Sequence, residues 1–307
     1  MFGVLFSNVA MMLFYMLIGF ILCKSKMAVV SHAKSMSALL LYVLNPAMLI
    51  NSFLQLDYST EGMIKIGKYF VTSLVIQLLF FGVLYLIFSR KYEDSRYRIL
   101  TAGGVLGNVG YMGLPIVCMV FPDQPIVMAY SSINVMSMNL IVFTLGVFLI
   151  TNDKKFISIR SAILNPTSLS ILCALPLYLL RVTFPDPVQN SISLMAKMVT
   201  PMCMFILGMR LSAANLKEVF TRAFVYLTCL FKLVVFPLFA YICVRWLPLD
   251  EVLKASIVVL AAVPSGAVIE NLAELHECEQ EFAANVVLLT TILSVITIPV
   301  MTNILVY

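Results

Sequence analysis

The chain has 307 residues, 62% of them hydrophobic and 11% charged, with a formal net charge of +5 and a mean hydropathy of +1.02. Soluble domains are roughly half apolar and a quarter charged, so this composition excludes a water-exposed globular fold and makes the lipid bilayer the main solvent. The surplus of Lys and Arg sits in short segments between apolar runs, where it sets membrane orientation, and gives no ground for a nucleic-acid partner.

Apolar runs of about 20 residues match the thickness of the hydrocarbon core. Ten are expected, near 4–23, 35–54, 66–88, 99–120, 125–150, 162–182, 190–210, 223–246, 253–274 and 283–305. The fold class is therefore an all-α polytopic membrane protein. The first run has no basic residues before it and no small-residue cleavage site after it, and Lys24 and Lys26 follow; a retained helix is expected there rather than a cleaved signal.

The odd-numbered connections carry Lys24, Lys26, Lys34, Arg90, Lys91, Arg96, Arg98, Lys154, Lys155, Arg160, Arg210, Lys217 and Arg222; the even ones carry only Lys65, Lys68, Arg181, Arg245 and Lys254. The positive-inside rule then places the odd connections in the cytoplasm and both termini outside the plasma membrane. Five spans precede the short basic loop 151–160 and five follow it, which suggests a duplication with repeats at 1–150 and 161–307. Asn45-Pro46 in span 2 pairs with Thr200-Pro201 in span 7, and Pro115 in span 4 with Pro264 in span 9. An odd number of spans per repeat forces the two into opposite orientation, the inverted arrangement of many secondary transporters.

Span 4 holds Gly103, Gly104, Gly107, Gly110 and Gly113, five of the chain's thirteen glycines within eleven residues, followed by Pro115. Glycine releases the backbone from helical geometry and proline removes a donor, so a break at mid-depth is expected. Freed backbone groups cannot face lipid, so the break must line a cavity or cross another polar segment. The segment around Pro264, Ser265 and Gly266 in span 9 is the natural partner. Two crossed, interrupted helices aim half-helix N-termini at one point, which suits an anion such as a carboxylate. Close glycine packing against neighbouring spans is the other use of such a sequence.

Polar residues within the spans are few: Asn45, Asn51, Asn108, Asn134, Asn139, Thr200 and Ser265. Each is open to a substrate role or to helix-to-helix hydrogen bonding. Lys232 in span 8 and Lys197 one turn before Pro201 are candidate counter-ions, although Lys197 can also snorkel outward. Glu270 either accepts a coupling proton or cation or lies solvated beside Glu274. The seven scattered cysteines show no metal or disulfide spacing, and no phosphate-binding loop, GxSxG or HExxH motif occurs, so neither an enzyme nor a cofactor is expected.

Taken in order, Asn45-Pro46, the run Gly107-Asn108-Val-Gly110-Tyr-Met-Gly113-Leu-Pro115, Asn165-Pro166, Thr200-Pro201 with Leu207-Gly208, and Val263-Pro264-Ser265 with Ala273-Glu274 resemble the auxin efflux carrier family over essentially the whole length. The resemblance implies a bile-acid-symporter-like fold with crossed helices 4 and 9. It implies a scaffold domain of helices 1, 2, 6 and 7, a moving transport domain of helices 3–5 and 8–10, elevator motion and homodimers. The candidate substrate is a small organic anion; read from the residues themselves, its candidate site is Asn45, Gly107, Asn108, Gly110, Pro115, Asn134, Asn139, Lys232, Pro264 and Ser265, with H+ or Na+ as the candidate coupling ion and Glu270 or Lys197 serving it. The chain departs from the family pattern after Pro264: Ala267 and Val268 stand where relatives often place Thr-Asn. A receptor that kept the carrier fold, a sodium-coupled symporter of an amphipathic anion, and a channel are the alternative readings.

Overall fold

The computed structural model describes residues 2–213 and 216–306, apart from the side chains of residues 154, 216 and 217. Lys154 and Lys217, two of the basic residues used above for orientation, thus lie outside the described side chains. Helices cover every apolar run. In chain order they are α1 (Phe2–Lys24), α2 (His32–Leu54), α3 (Thr60–Lys91), α4a (Ser95–Val105), α4b (Val109–Val120), α5 (Ile126–Thr151), α6 (Pro166–Leu179), α7 (Asp186–Ala213), α8 (Ala223–Arg245), α9a (Glu251–Ala261), α9b (Ala267–Leu275) and α10 (Gln280–Leu305). Seven of these, namely α1, α2, α3, α5, α7, α8 and α10, are long and apolar enough to cross a bilayer unbroken.

The remaining segments are short for identifiable reasons. The segments at 95–120 and 251–275 are each cut in two. The sixth apolar run, expected over 162–182, begins only at Pro166, because Asn165 turns extended and its side chain accepts the Ser168 N–H at 2.9 Å, capping a new helix. A separate short helix, Ile159–Leu164, precedes it with Ser158 as its cap. Side-chain caps also fix the starts of α3, where Ser59 accepts from Gly62, and of α9a, where Asp250 accepts from Leu253. At the start of α4a the Asp94 carboxylate accepts from the Arg96 backbone and guanidinium, and the hydrogen-bonded Arg96 side chain holds its carboxyl below the usual range.

Three prolines near helix interiors are preceded by turns that absorb them. Wide π-type turns at Leu40–Leu44, Val109–Gly113 and Phe231–Val235 stand immediately ahead of Pro46, Pro115 and Pro237. Such a turn shifts the ladder where the proline ring would collide with the carbonyl four residues back.

Helices α1 and α7 pack backbone against backbone. A Cβ on Gly208 would stand 1.8 Å from the Met16 carbonyl oxygen, and one on Gly19 would stand 2.2 Å from that of Phe205. Small residues allow this approach, which is how helices associate tightly where lipid supplies no hydrophobic drive. Helix α2 lies against both α6 and α7, with the Asn45 amide donating to Thr167 at 3.0 Å. A second set of contacts joins α3 to α5 through stacked Tyr69 and Tyr130, 4.6 Å apart, and through Gln77, Ser73 and Ser137. Phe80 of α3 stacks on Phe236 of α8 at 4.7 Å, and α8 packs on α9a.

The α1–α7 contact yields a direct expectation. Gly208→Leu should lower the melting temperature of the detergent-purified protein, overpacking of this kind costing roughly 1–3 kcal/mol or more. Gly82→Ala, where nothing stands within 4 Å of the added carbon, should not lower it and, by removing a glycine from a helix interior, should raise it slightly.

Candidate functional site where two interrupted segments meet

The break in the fourth segment falls at Leu106, Gly107 and Asn108, and that in the ninth at Ala262 through Gly266. The two breaks lie side by side. Gly107 and Ser265 pair as a single antiparallel bridge, with the Asn108 N–H donating to the Pro264 carbonyl at 2.8 Å and the Gly266 N–H to the Leu106 carbonyl at 3.0 Å. Each break thus supplies the partners the other lacks, the requirement for irregular backbone at membrane depth. Gly266 must be a glycine, since a Cβ there would stand 2.9 Å from the Gly107 carbonyl oxygen.

Side chains take up the rest. Ser265 is fully buried; its hydroxyl donates to the Gly103 carbonyl at 2.8 Å and its N–H to Thr290 at 3.2 Å. Pro115 lies beyond the break, not in it. Its ring frees the Tyr111 carbonyl four residues back, and the Thr200 hydroxyl of α7 donates to that oxygen at 2.9 Å. Pro264, by contrast, sits within its break, so the two prolines do not occupy the same place relative to their interruptions.

Two helix C-termini and two N-termini converge here. The carbonyls of Val105 and Ala261, the last residues of α4a and α9a, accept from the Lys232 ammonium at 3.4 and 3.2 Å. The N-terminal ends are differently provided for. Asn108 begins α4b without capping it through its side chain, and its buried side-chain amide nitrogen donates to no oxygen, the Cys203 thiol of α7 being the group beside it. Gly266 begins α9b with no side chain to offer. Val109, the first residue of α4b, is buried, but Gly110 and Tyr111 after it and Ala267 and Val268 at the start of α9b remain half-buried, while the residues of the two breaks are closed.

A cavity of about 870 Å³ opens between α2, α7, α9b and α10, within the range of small-molecule sites. Lys34, Arg210, Glu270, Asn271, Glu274 and Asn285 are among its lining residues. Its mouth is at the helix ends joined by connections 24–34 and 275–281, the ends assigned above to the cytoplasm. On its wall Arg210 of α7 forms an ion pair with Glu270 of α9b at 3.0 Å and donates to Asn271 at 3.1 Å.

The structure therefore groups Gly107, Asn108, Gly110, Pro264, Ser265 and Lys232 around the meeting of the breaks, with Pro115 two turns along α4b. Asn134 borders a cavity of about 20 Å³ beside Lys232 while donating to Tyr69 at 2.8 Å. Asn45 and Asn139 are engaged in helix-to-helix hydrogen bonds, to Thr167 and to Asn165. Lys197 is exposed on α7 and borders neither cavity. Glu270 is not solvated beside Glu274 but paired to Arg210. Arg210 is the residue that the sequence reading passed over: at the end of span 7 it was counted only as a topogenic charge.

A protein-family model described as "Membrane transport protein" matches residues 4–302, nearly the whole chain. No individual curated protein matches it.

Thr200→Val keeps the shape at this position but leaves the Tyr111 carbonyl without its donor. An unsatisfied buried acceptor costs about 1–3 kcal/mol, so a lower melting temperature is expected for the purified variant, read by tryptophan-independent thermal unfolding such as dye-binding or light scattering.

Proposed function

From a chain that belongs to the membrane transport protein family, that of the auxin efflux carriers, we propose a secondary carrier of small organic anions, most simply carboxylates, working by alternating access. The observation that carries the reading is electrostatic. Two half-helix N-termini, each a partial positive charge with open N–H donors, meet beside the Asn108 side-chain amide, which no oxygen accepts from, and a cavity with Arg210 on its wall lies one turn further along α9b, at Glu270. An oxyanion is the ligand for which such a set of donors is complementary.

In this reading the ten helical segments are transmembrane and form two inverted five-helix repeats, with 151–160 as the cytoplasmic loop between them and both termini outside the plasma membrane. Helices α1, α2, α6 and α7 form a scaffold, consistent with the backbone contact of α1 with α7 and the packing of α2 on α6 and α7. The interrupted segments with α3, α5, α8 and α10 form the unit that moves, in an elevator-type displacement coupled to an H+ or Na+ gradient. Homodimers join through the scaffold.

The Arg210–Glu270 pair then spans the boundary between scaffold and moving unit on the open side. An arriving carboxylate offers Arg210 a second partner and loosens the link to Glu270, so substrate entry and release of the moving unit share one residue. The two half-helix ends next take the carboxylate as the unit slides, and Asn108 donates to it.

The test is charge movement on a solid-supported membrane with purified protein in liposomes, across a panel of mono- and dicarboxylates. Saturable currents are expected for at least one acid. Asn108→Ala and Arg210→Gln should each lower transport about tenfold or more, the equivalent of about 1.4 kcal/mol, with the protein still folded. The absence of both current and radiolabelled uptake for every acid, or full activity in both variants, would overturn the reading.

A further inference from the structure

The ammonium of Lys232 is wholly buried at a point where an uncompensated charge is costly, so what surrounds it is informative. Its two oxygen partners are the terminal carbonyls of two different half-helices, α4a and α9a, at 3.4 and 3.2 Å. Each helix C-terminus carries about half a negative charge and terminal carbonyls that no intrahelical donor reaches. The Phe236 ring lies 4.5 Å from the ammonium and presents its electron-rich face. Among the described residues no carboxylate pairs with Lys232: the ion pairs formed there involve other cations.

Carbonyl oxygens at two convergent helix C-termini, with no fixed anion, are the donor set that also suits a small hard monovalent cation. The backbone is shaped for the ammonium instead. A Cβ on Gly107 would stand 3.0 Å from Nζ, so the absence of a side chain there lets the lysine reach the break. The adjoining cavity of about 20 Å³, bordered by Ser73, Gln77 and Asn134, has room for about one water molecule and none for a hydrated ion. Lys232 borders that small cavity and not the large polar one.

We infer that Lys232 is the resident cation of this crossing: its ammonium fills a monovalent-cation site made by the terminal carbonyls of α4a and α9a, so no sodium ion binds there. The occupancy is a property of the fold; its consequence, that sodium is not the coupling ion at the crossing, rests on the carrier reading. Lysine balances the two C-terminal ends, which leaves the two N-terminal ends of the same crossing free to receive an anion.

The experiment is thermal unfolding of the purified full-length chain in sodium, lithium, methylammonium and choline chlorides at equal ionic strength, which needs no substrate. The wild type should melt at one temperature, within about 1 °C, in all four salts. Lys232→Ala should melt roughly 5 °C or more lower in choline and recover a large part of that loss, saturably, in sodium, lithium or methylammonium, because the emptied space admits a small cation. Lys232→Met, which keeps the bulk of the stem without the charge, should be lowered without recovery. Saturable stabilisation of the wild type by sodium would overturn the inference whatever the variants do. A Lys232→Ala protein as stable as wild type, or destabilised with no response to any cation, would also overturn it. Failure of the carrier reading is a separate result, an absence of both current and radiolabelled uptake for every acid with these melting profiles unchanged.

Discussion

Backbone that leaves helical geometry inside a membrane must find hydrogen-bond partners in protein, because lipid offers none. In this chain two such stretches solve the problem for each other. Leu106, Gly107 and Asn108 lie against Pro264, Ser265 and Gly266, sharing two backbone hydrogen bonds of 2.8 and 3.0 Å. Neither interruption is tenable alone, so each fixes the position of the other and both fix the helices that lead to them. Ser265 and Thr200 then satisfy carbonyls that the pairing does not reach, those of Gly103 and Tyr111. A fold that would otherwise be a bundle of continuous helices acquires one polar point, and it is placed by backbone rather than by a cluster of charged side chains.

The same geometry sorts charge by sign. Helix C-termini converge on one side of the crossing and are met by Lys232; helix N-termini converge beside Asn108 and are met by no side-chain cap. One arrangement thus accounts for a buried lysine without an acidic partner and for a buried side-chain amide nitrogen that donates to no oxygen. The larger cavity and the Arg210–Glu270 pair lie one turn or so further along α9b, and the ion pair ties that helix to α7.

Much of this was legible in the sequence, because the relevant signals are local. Apolar length located the helices to within a few residues, and the density of glycines from 103 to 113 marked an interruption. The exact place of the break was not legible from Pro115, since a proline can be absorbed by a wide turn when another helix supplies a donor, here Thr200. Nor could the sequence distinguish Asn108, whose amide nitrogen donates to no oxygen, from Asn45 and Asn139, whose amide nitrogens tie helices together; that difference depends on which helix comes to lie opposite. Arg210 stood at a span end and read as topogenic, because an interhelical ion pair has no spacing along one chain. Asn165 shortened the sixth helix from its expected length, a capping effect that the Asn-Pro pair carried and that apolar length outweighed in the reading.

The central claim is that a carboxylate is received by the N-terminal ends of the interrupted segments. It is tested most directly by substrate protection at Ala267, the half-buried first residue of α9b. With the seven native cysteines replaced and Ala267→Cys introduced, the rate of modification by a small maleimide is followed with and without a transported acid. The account predicts that a saturating acid slows labelling about tenfold and that Asn108→Ala removes the protection. Labelling at an unchanged rate, with the same acid still transported by the same protein, would contradict it.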